Sequence, residues 1–249
     1  NINPLYGFFV ARAGLGASES MRSKLAEYND PRLSRAFITK QGTSGKEQAP
    51  GTADNAVYAP NGTPEQGTSK YGTSLFMYSI SAPTLLLSYH ELKFLEAEAL
   101  CRLERDAKSA LKDAVVAGLL NAENSFTISR KELGKTLINA ASSITEAEAE
   151  SYFDNTIEAK YTAEPLKTTM TQKYFALWGA SGEATESYND VRRMKGLGEN
   201  FIELKNPNSF PLRCPYGNSD TTTNAEVKAA YGNGQYVYSE NVWWAGGSR

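Results

Sequence analysis

The sequence predicts a mainly α-helical protein with a helical-repeat core, long irregular loops and few short strands. Three observations predict it. Apolar residues recur at helical spacing from Thr84 to Gly118, capping signals open helices repeatedly down the chain, and a long polar stretch between Lys40 and Ser81 shows no periodicity at all.

The first 83 residues combine an irregular opening, one short helix and a polar loop. In SESMRSKLAEYNDPRL, Ser18 or Ser20 can cap a helix whose apolar face is Met21, Leu25 and Tyr28, and Pro31 stops it. From Lys40 to Ser81 the composition turns to Gly, Thr, Ser, Asn, Gln and Pro, with aliphatic residues almost absent until Leu75. A stretch of this length without structure of its own reads as functional or disordered. Tyr58, Tyr71 and Phe76 interrupt it. A tyrosine on such a loop can pin it to the body, or it can stack on a sugar or peptide while its hydroxyl bonds outward.

The helical core is expected over 84–198. Tyr89, Leu92, Leu95, Ala99 and Leu103 draw one stripe, with Glu98 and Arg102 paired on the other side; after a turn at Arg105–Asp106, Ala107, Ala110, Leu111, Ala114, Val115 and Gly118 draw a second, rich in small residues. Two amphipathic helices closely packed through small residues read as a hairpin of tetratricopeptide type, though no second copy recurs at a 34-residue period. Two capping boxes follow, Ser129 with Glu132 and Thr145 with Glu148. Pro165 suits a first helical turn, Leu166, Met170, Tyr174, Leu177 and Trp178 supply an apolar face, and Gly179 suits the position just past the helix end. Ser181 can cap a last helix running to Gly196, and the tail over 199–249 is loop-dominated, with GQYVYS as a short strand.

Composition narrows the function classes. With 249 residues and 41% hydrophobic content the chain can bury a real core, as one large domain or two ordinary ones. Its 26 basic and 28 acidic residues leave a net charge of −2, so no positive field points to nucleic acid. No apolar run approaches the roughly 18 residues that a membrane-spanning helix needs. Cys101 lies in a helical pattern and Cys214 in an irregular segment, without metal-ligand spacing; they read as two separate buried thiols, with a disulfide as the alternative.

Catalytic constellations are weak. His90 is the only histidine, and no GxSxG, P-loop or GxGxxG string occurs. Glu91, Glu96 and Glu98 do not converge on one point of a helix and read as a solvated face. Arg192 and Arg193 close a helix, where one of them can anchor neighbouring structure by a forked bond; Asp30, Arg32 and Arg213 read as structural too.

Four blocks stand in a fixed order near the C-terminus: TQKYFALWG, ESYNDVRRMKG, FPLRCPYGNSDTTTNAEV and NVWWAGGSR, with NDPRL far upstream. In this order they resemble the C-terminal half of SusD/RagB proteins, surface lipoproteins of Bacteroidetes that pass nutrients to a TonB-dependent transporter. Tyr188 replaces the family's usual tryptophan, Gly217 a proline and Asp220 a glutamate, whereas Asn224 and Trp243–Trp244 fit. The resemblance implies that 1–249 is the C-terminal portion of one SusD-like domain, since the chain opens on NINPLYGFF without signal segment or lipobox. It implies non-catalytic capture of an oligosaccharide or peptide at the outer-membrane surface, a SusC-like TonB-dependent partner, and attachment by a lipid anchor. It implies no cofactor or metal. On the polar loop itself, Tyr58 or Tyr71 is the expected stacking residue and Asn61 the hydrogen-bonding one, while Trp178 and the Trp243–Trp244 pair are expected to belong mostly to the scaffold. The alternative is a helical-repeat scaffold that binds only protein.

Overall fold

The computed structural model describes residues 2–12, 16–41, 46–48, 57–62, 71–134, 137–138, 142–180, 182–205, 209–231 and 236–247. It is mainly α-helical, with eleven α-helices and four short strands among these residues. It divides into two compact units, Asn1–Leu204 and Lys205–Arg249.

The first unit opens on α1 (Pro4–Arg12), where the sequence suggests no regular element; the Asn3 side chain accepts from the Leu5 amide at its start. Helix α2 (Glu19–Glu27) follows its signals: Ser18 accepts the Met21 amide, and Met21, Leu25 and Tyr28 are buried. After α3 (Leu33–Ala36) the chain enters β1 (Phe37–Gln41). With β2 (Lys46–Gln48), β3 (Thr73–Ser74) and β4 (Leu137–Ile138) it forms a small sheet in the order β3-β1-β2-β4. β1 runs antiparallel to both neighbours, pairing Phe37 with Ser74 and Thr39 with Gln48, and β2 runs parallel to β4. The stretch expected to be structureless therefore supplies two strands and a 3-10 turn at Leu75–Tyr78.

The expected hairpin is present as α4 (Tyr89–Arg102) and α5 (Lys108–Leu133). Helix α4 begins later than Thr84, at the cap supplied by Ser88, whose Oγ accepts the Glu91 amide at 3.1 Å. Its buried face differs from the expected one. His90, Glu91, Phe94, Ala97 and Glu98 point inward, whereas Tyr89, Leu92 and Leu103 are more than half exposed and Leu95 is 41% exposed. On α5 the expected stripe of Ala110, Leu111, Ala114, Val115 and Gly118 is buried as read. A Cβ on Gly118 would lie 3.0 Å from that of Ala176, so the small residue serves the approach of a third helix, α8 (Pro165–Leu177).

Helix α5 runs without a break through Ser129, which therefore caps nothing. Its hydroxyl donates to the Leu75 and Ser125 carbonyls inside the core. Thr145 does cap α6 (Glu146–Tyr152), accepting the Glu148 amide at 3.2 Å, but the Glu148 carboxylate goes to Arg35 instead of closing the box. A π-helical turn, Phe153–Ile157, joins α6 to α7 (Glu158–Ala163).

Pro165 opens α8 as expected, and Gly179 takes a left-handed φ of 78° just past its end. Helix α8 is buried nearly all round: Thr168 to Lys173 and Phe175 to Leu177 are all inside. It packs with α4 and α5 around Phe94, Leu111, Leu119, Phe126, Phe153 and Phe175, each fully buried. Helix α9 (Ala184–Gly196) ends where expected, but its N-cap position is Glu183; Ser181 lies outside the described residues.

The second unit holds two short helices, α10 (Asn218–Thr223) and α11 (Ala225–Tyr231), where loop was expected. Tyr236–Tyr238 forms a 3-10 turn instead of a strand, tied by the Leu212 amide donating to the Val237 carbonyl at 2.7 Å. Trp243 and Trp244 stand edge to face at 5.5 Å and are 70% and 69% exposed, which does not fit a buried scaffold role. Cys101 is half-buried and Cys214 exposed, each as a free thiol, so the expected pair of buried thiols does not hold.

Candidate functional site

The segments carrying Tyr58, Asn61 and Tyr71 are knitted together by backbone hydrogen bonds. Ala17 donates to Gly72 at 2.7 Å, Ala59 to Ala17 at 2.8 Å, Glu19 to Ala59 at 3.0 Å and Gly72 to Val57 at 2.9 Å. Ser18, the cap of α2, also donates its hydroxyl to Asn61 Oδ1 at 3.0 Å. The cap of one helix and the amide of the loop thus share one oxygen.

The three residues differ in access. Tyr71 is buried, so its ring faces are closed to a ligand. Tyr58 and Asn61 are half-buried. The Tyr58 ring meets Phe37 edge to face at 5.2 Å, and the Arg22 guanidinium lies 5.4 Å from its centroid. Burial pushes the Tyr58 phenol above its ordinary value, and Arg22 partly offsets this. Tyr58 is also the outer end of a run of rings, since Phe37 contacts Trp178, Trp178 contacts Phe76, and Phe76 contacts Phe126 at 4.8 Å. Trp178 therefore has the scaffold role read from the sequence. Tyr58 anchors the loop to the core and keeps part of its surface open; Asn61 and exposed Val57 and Arg22 complete a mixed polar and apolar patch.

A second arrangement escapes the sequence reading. His90 is buried, its Nε2 3.7 Å from Glu183 Oε2. Glu183 Oε1 accepts the Ser88 amide, so this carboxylate helps cap α4 from outside. Burial lowers the His90 value, and the opposing pull of Glu183 does not cancel it. The imidazole is thus neutral at pH 7, inside the fold. Glu91 is pushed up to about 7 by burial first and by its bond to Glu183 second. Lys173, 2% exposed, pairs with Asp190 at 2.8 Å. Glu91 and Glu98 are therefore core residues and not a solvated face; only Glu96 is exposed. Their seven-residue spacing, two full helical turns, places both on the inward side of α4. Arg193 makes the forked bond expected of the arginine pair, to Glu98, while Arg192 lies over the Tyr188 ring. Asp30 and Arg32 form a fully buried pair at 2.6 Å whose guanidinium also donates to the Phe175 carbonyl, a structural role as read. Arg213 donates to the Tyr216 hydroxyl at 3.2 Å within the second unit.

A half-buried aromatic ring beside a half-buried amide is a surface on which stacking and hydrogen bonding are chemically available. The family described as SusD-like, "starch-binding associating with outer membrane", matches residues 1–216, and the chain belongs to that family. A SusD/RagB family protein from Bacteroides thetaiotaomicron is 64% identical, with a TM-score of 0.89 over 100% of this chain and 54% of its own. A SusD homolog from Bacteroides fragilis is 18% identical, with a TM-score of 0.60 over 96% of this chain and 54% of its own. An outer membrane protein of Bacteroides vulgatus, described as involved in nutrient binding, is 22% identical, with a TM-score of 0.58 over 90% of this chain and 50% of its own. The last two likenesses show the fold alone. The chain spans about half the length of these solved relatives. No curated protein matches it.

Proposed function

We propose that the protein captures an extracellular nutrient without chemically changing it, an oligosaccharide in preference to a peptide, and delivers it to a SusC-like TonB-dependent transporter. Membership of the family across residues 1–216 carries this reading. The protein would act at the outer-membrane surface as a lipid-anchored protein. Tyr58 and Asn61 would make the contact: the ring offers apolar area to a sugar face, and the Asn61 amino group offers a donor while its oxygen is held by Ser18. Tyr71, with its ring buried, would act on the ligand through the position of that patch.

Titration with glycan and peptide panels, before and after Tyr58→Ala and Tyr71→Ala, tests the reading. Stacking is worth about 0.5 to 1.5 kcal/mol beyond area burial, so Tyr58→Ala should weaken binding by about two- to tenfold. If neither change weakens any ligand that the parent binds, this patch is not the platform. A second reading, a scaffold that binds only protein, is favoured by the outward row of Tyr89, Leu92 and Leu103, all more than half exposed. Such a scaffold would bind neither panel.

A further inference from the structure

Buried ionisable groups gather where the start of α4 lies against the link between α8 and α9: His90 and Glu91 on α4, Lys173 on α8, and Glu183 at the N-cap position of α9. Three residues there close a ring. The Glu91 carboxyl bonds Glu183, Glu183 Oε1 accepts the Ser88 amide, and the Glu91 amide donates back to Ser88 Oγ at 3.1 Å. Among the described residues no permanent donor reaches Glu183 Oε2, and His90 Nε2, at 3.7 Å, is beyond hydrogen-bond range. The Glu91 carboxyl, when it carries a proton, supplies the donor that this carboxylate lacks.

The surrounding charges do little to neutralise a second carboxylate. Lys173 favours the charged form of Glu91, but it is paired with Asp190 of α9 at 2.8 Å; Glu186, also on α9, opposes it. His90 stays neutral through burial, against the pull of Glu183 and with the help of Arg32 from the NDPRL segment. Across the seam with α5, Asp113 and Lys93 satisfy each other at 3.4 Å. Loss of the Glu91 proton therefore places two negative charges in contact inside the fold, with one lysine that is already shared.

The same ring fastens a loose piece of chain. Residues 84–88 form no helix or strand and carry exposed Leu86 and Leu87. Besides the Ser88 amide on Glu183, one close approach holds them to the link: Gly182 takes a left-handed φ of 95°, and a Cβ there would strike the Leu85 carbonyl. Glu183 thus stands at one end of a backbone contact and at the middle of a carboxyl pair.

We infer, independently of which ligand the protein takes, that Glu91 and Glu183 form a proton-operated latch: sharing one proton, they hold residues 84–88 against the α8–α9 link, and when both are charged the segment lets go. The raised Glu91 value, about 7 against the usual 4.5, sets the window. The closed form is fully favoured below pH 4.5 and loses that advantage as pH rises through 7. Between pH 6 and pH 8 the opening equilibrium should rise about tenfold.

Hydrogen exchange of the Ser88 and Glu91 amides in the 249-residue chain, corrected for the intrinsic rate at each pH, tests the latch. Protection should fall about tenfold from pH 6 to pH 8. Because a local opening exposes little surface, dilute urea should leave these amides unchanged while it speeds exchange in α8. Glu91→Gln and Glu183→Gln each keep a bonding amide and remove one charge, so in either variant the change with pH should shrink below about twofold. Glu186→Gln, a nearby acid outside the ring, should keep it. A parent without the change, a Gln variant at position 91 or 183 that retains it, or urea sensitivity equal to that of α8 would each overturn the latch. The two Gln variants carry the same test separately, and the pH and urea dependence of the parent stands without either.

Discussion

Arg193 reaches from the last turn of α9 to Glu98 in the middle of α4, 95 positions away, and binds its carboxylate through both terminal nitrogens, with 2.8 Å between Nη2 and Oε2. Arg102 binds the same carboxylate at 2.7 Å and continues to Glu199, so one buried acid joins two helices and the segment beyond them. Burial alone would raise the Glu98 value; the bonds from Arg193 and Arg102 outweigh it and hold it below the usual 4.5.

Arg193→Ala should therefore destabilise the first unit by about 1 to 3 kcal/mol, less than the roughly 3 to 5 kcal/mol of a fully buried pair because the guanidinium itself is partly solvated. The sign with pH follows from the depressed value. Glu98 contributes stability above the carboxylate range and loses it as pH falls through its folded value. Urea unfolding between pH 5 and pH 3 should fall more steeply for the parent than for the variant. Parallel curves would remove Glu98 as the source.

Glu91 has the opposite sign. Its folded value of about 7 lies above the usual 4.5, so its contribution is fully present below pH 4.5 and is lost as pH rises through 7. Glu91→Gln keeps the shape and removes the charge. Unfolding free energies measured at pH 5 and pH 8 should show the variant gaining on the parent at pH 8. An equal difference at both values would refute the titration of Glu91 in that window.

These two acids also show where the sequence is readable and where it is not. Helix ends are legible where the backbone's own needs set them: Ser18 and Thr145 satisfy open amides, Pro165 supplies a first turn, and Gly179 takes a left-handed angle. The family is legible from the ordered C-terminal blocks. The inward face of α4 is not, because residue type favours burying Leu92 and Leu95 over Glu91 and Glu98. Partners 82 to 95 positions away reverse that preference, and their identity is no part of a local pattern. Ser129 fails for the same reason: its cap-like spacing is local, but its acceptor, the Leu75 carbonyl, is distant. Tyr58 and Asn61 stand out in the polar stretch by composition, whereas the burial of Tyr71, named with them, does not.

The reversed face of α4 can be checked by a neighbouring pair. Phe94 is fully buried and Leu95 is 41% exposed. Phe94→Ala should cost about 3 to 5 kcal/mol by denaturant titration, as full removal of a core ring does, and Leu95→Ala less than about 1 kcal/mol. A large loss at Leu95 with a small one at Phe94 would restore the face drawn from periodicity.

Gly179→Ala should be among the most damaging single-methyl changes in the chain. The residue holds a φ of 78°, and an added Cβ would overlap the Phe76 ring, itself packed between Trp178 and Phe126. The left-handed angle and the overpacking together predict a loss of about 2 to 5 kcal/mol. Gly198→Ala, with a φ of 76° but no atom near the added methyl, separates the two causes and should cost only about 1 to 2 kcal/mol. Equal melting temperatures for the two variants would show that Phe76 yields to the added methyl.

Helix α8 has no solvent-facing side over most of its length, because neighbours from α4, α5, α7 and α9 surround it. Its amides cannot reach water by fraying or by a local opening that leaves those neighbours in place. They should exchange with deuterium only through opening of the whole first unit, so the protection of Thr169 to Phe175 measures its global unfolding free energy directly.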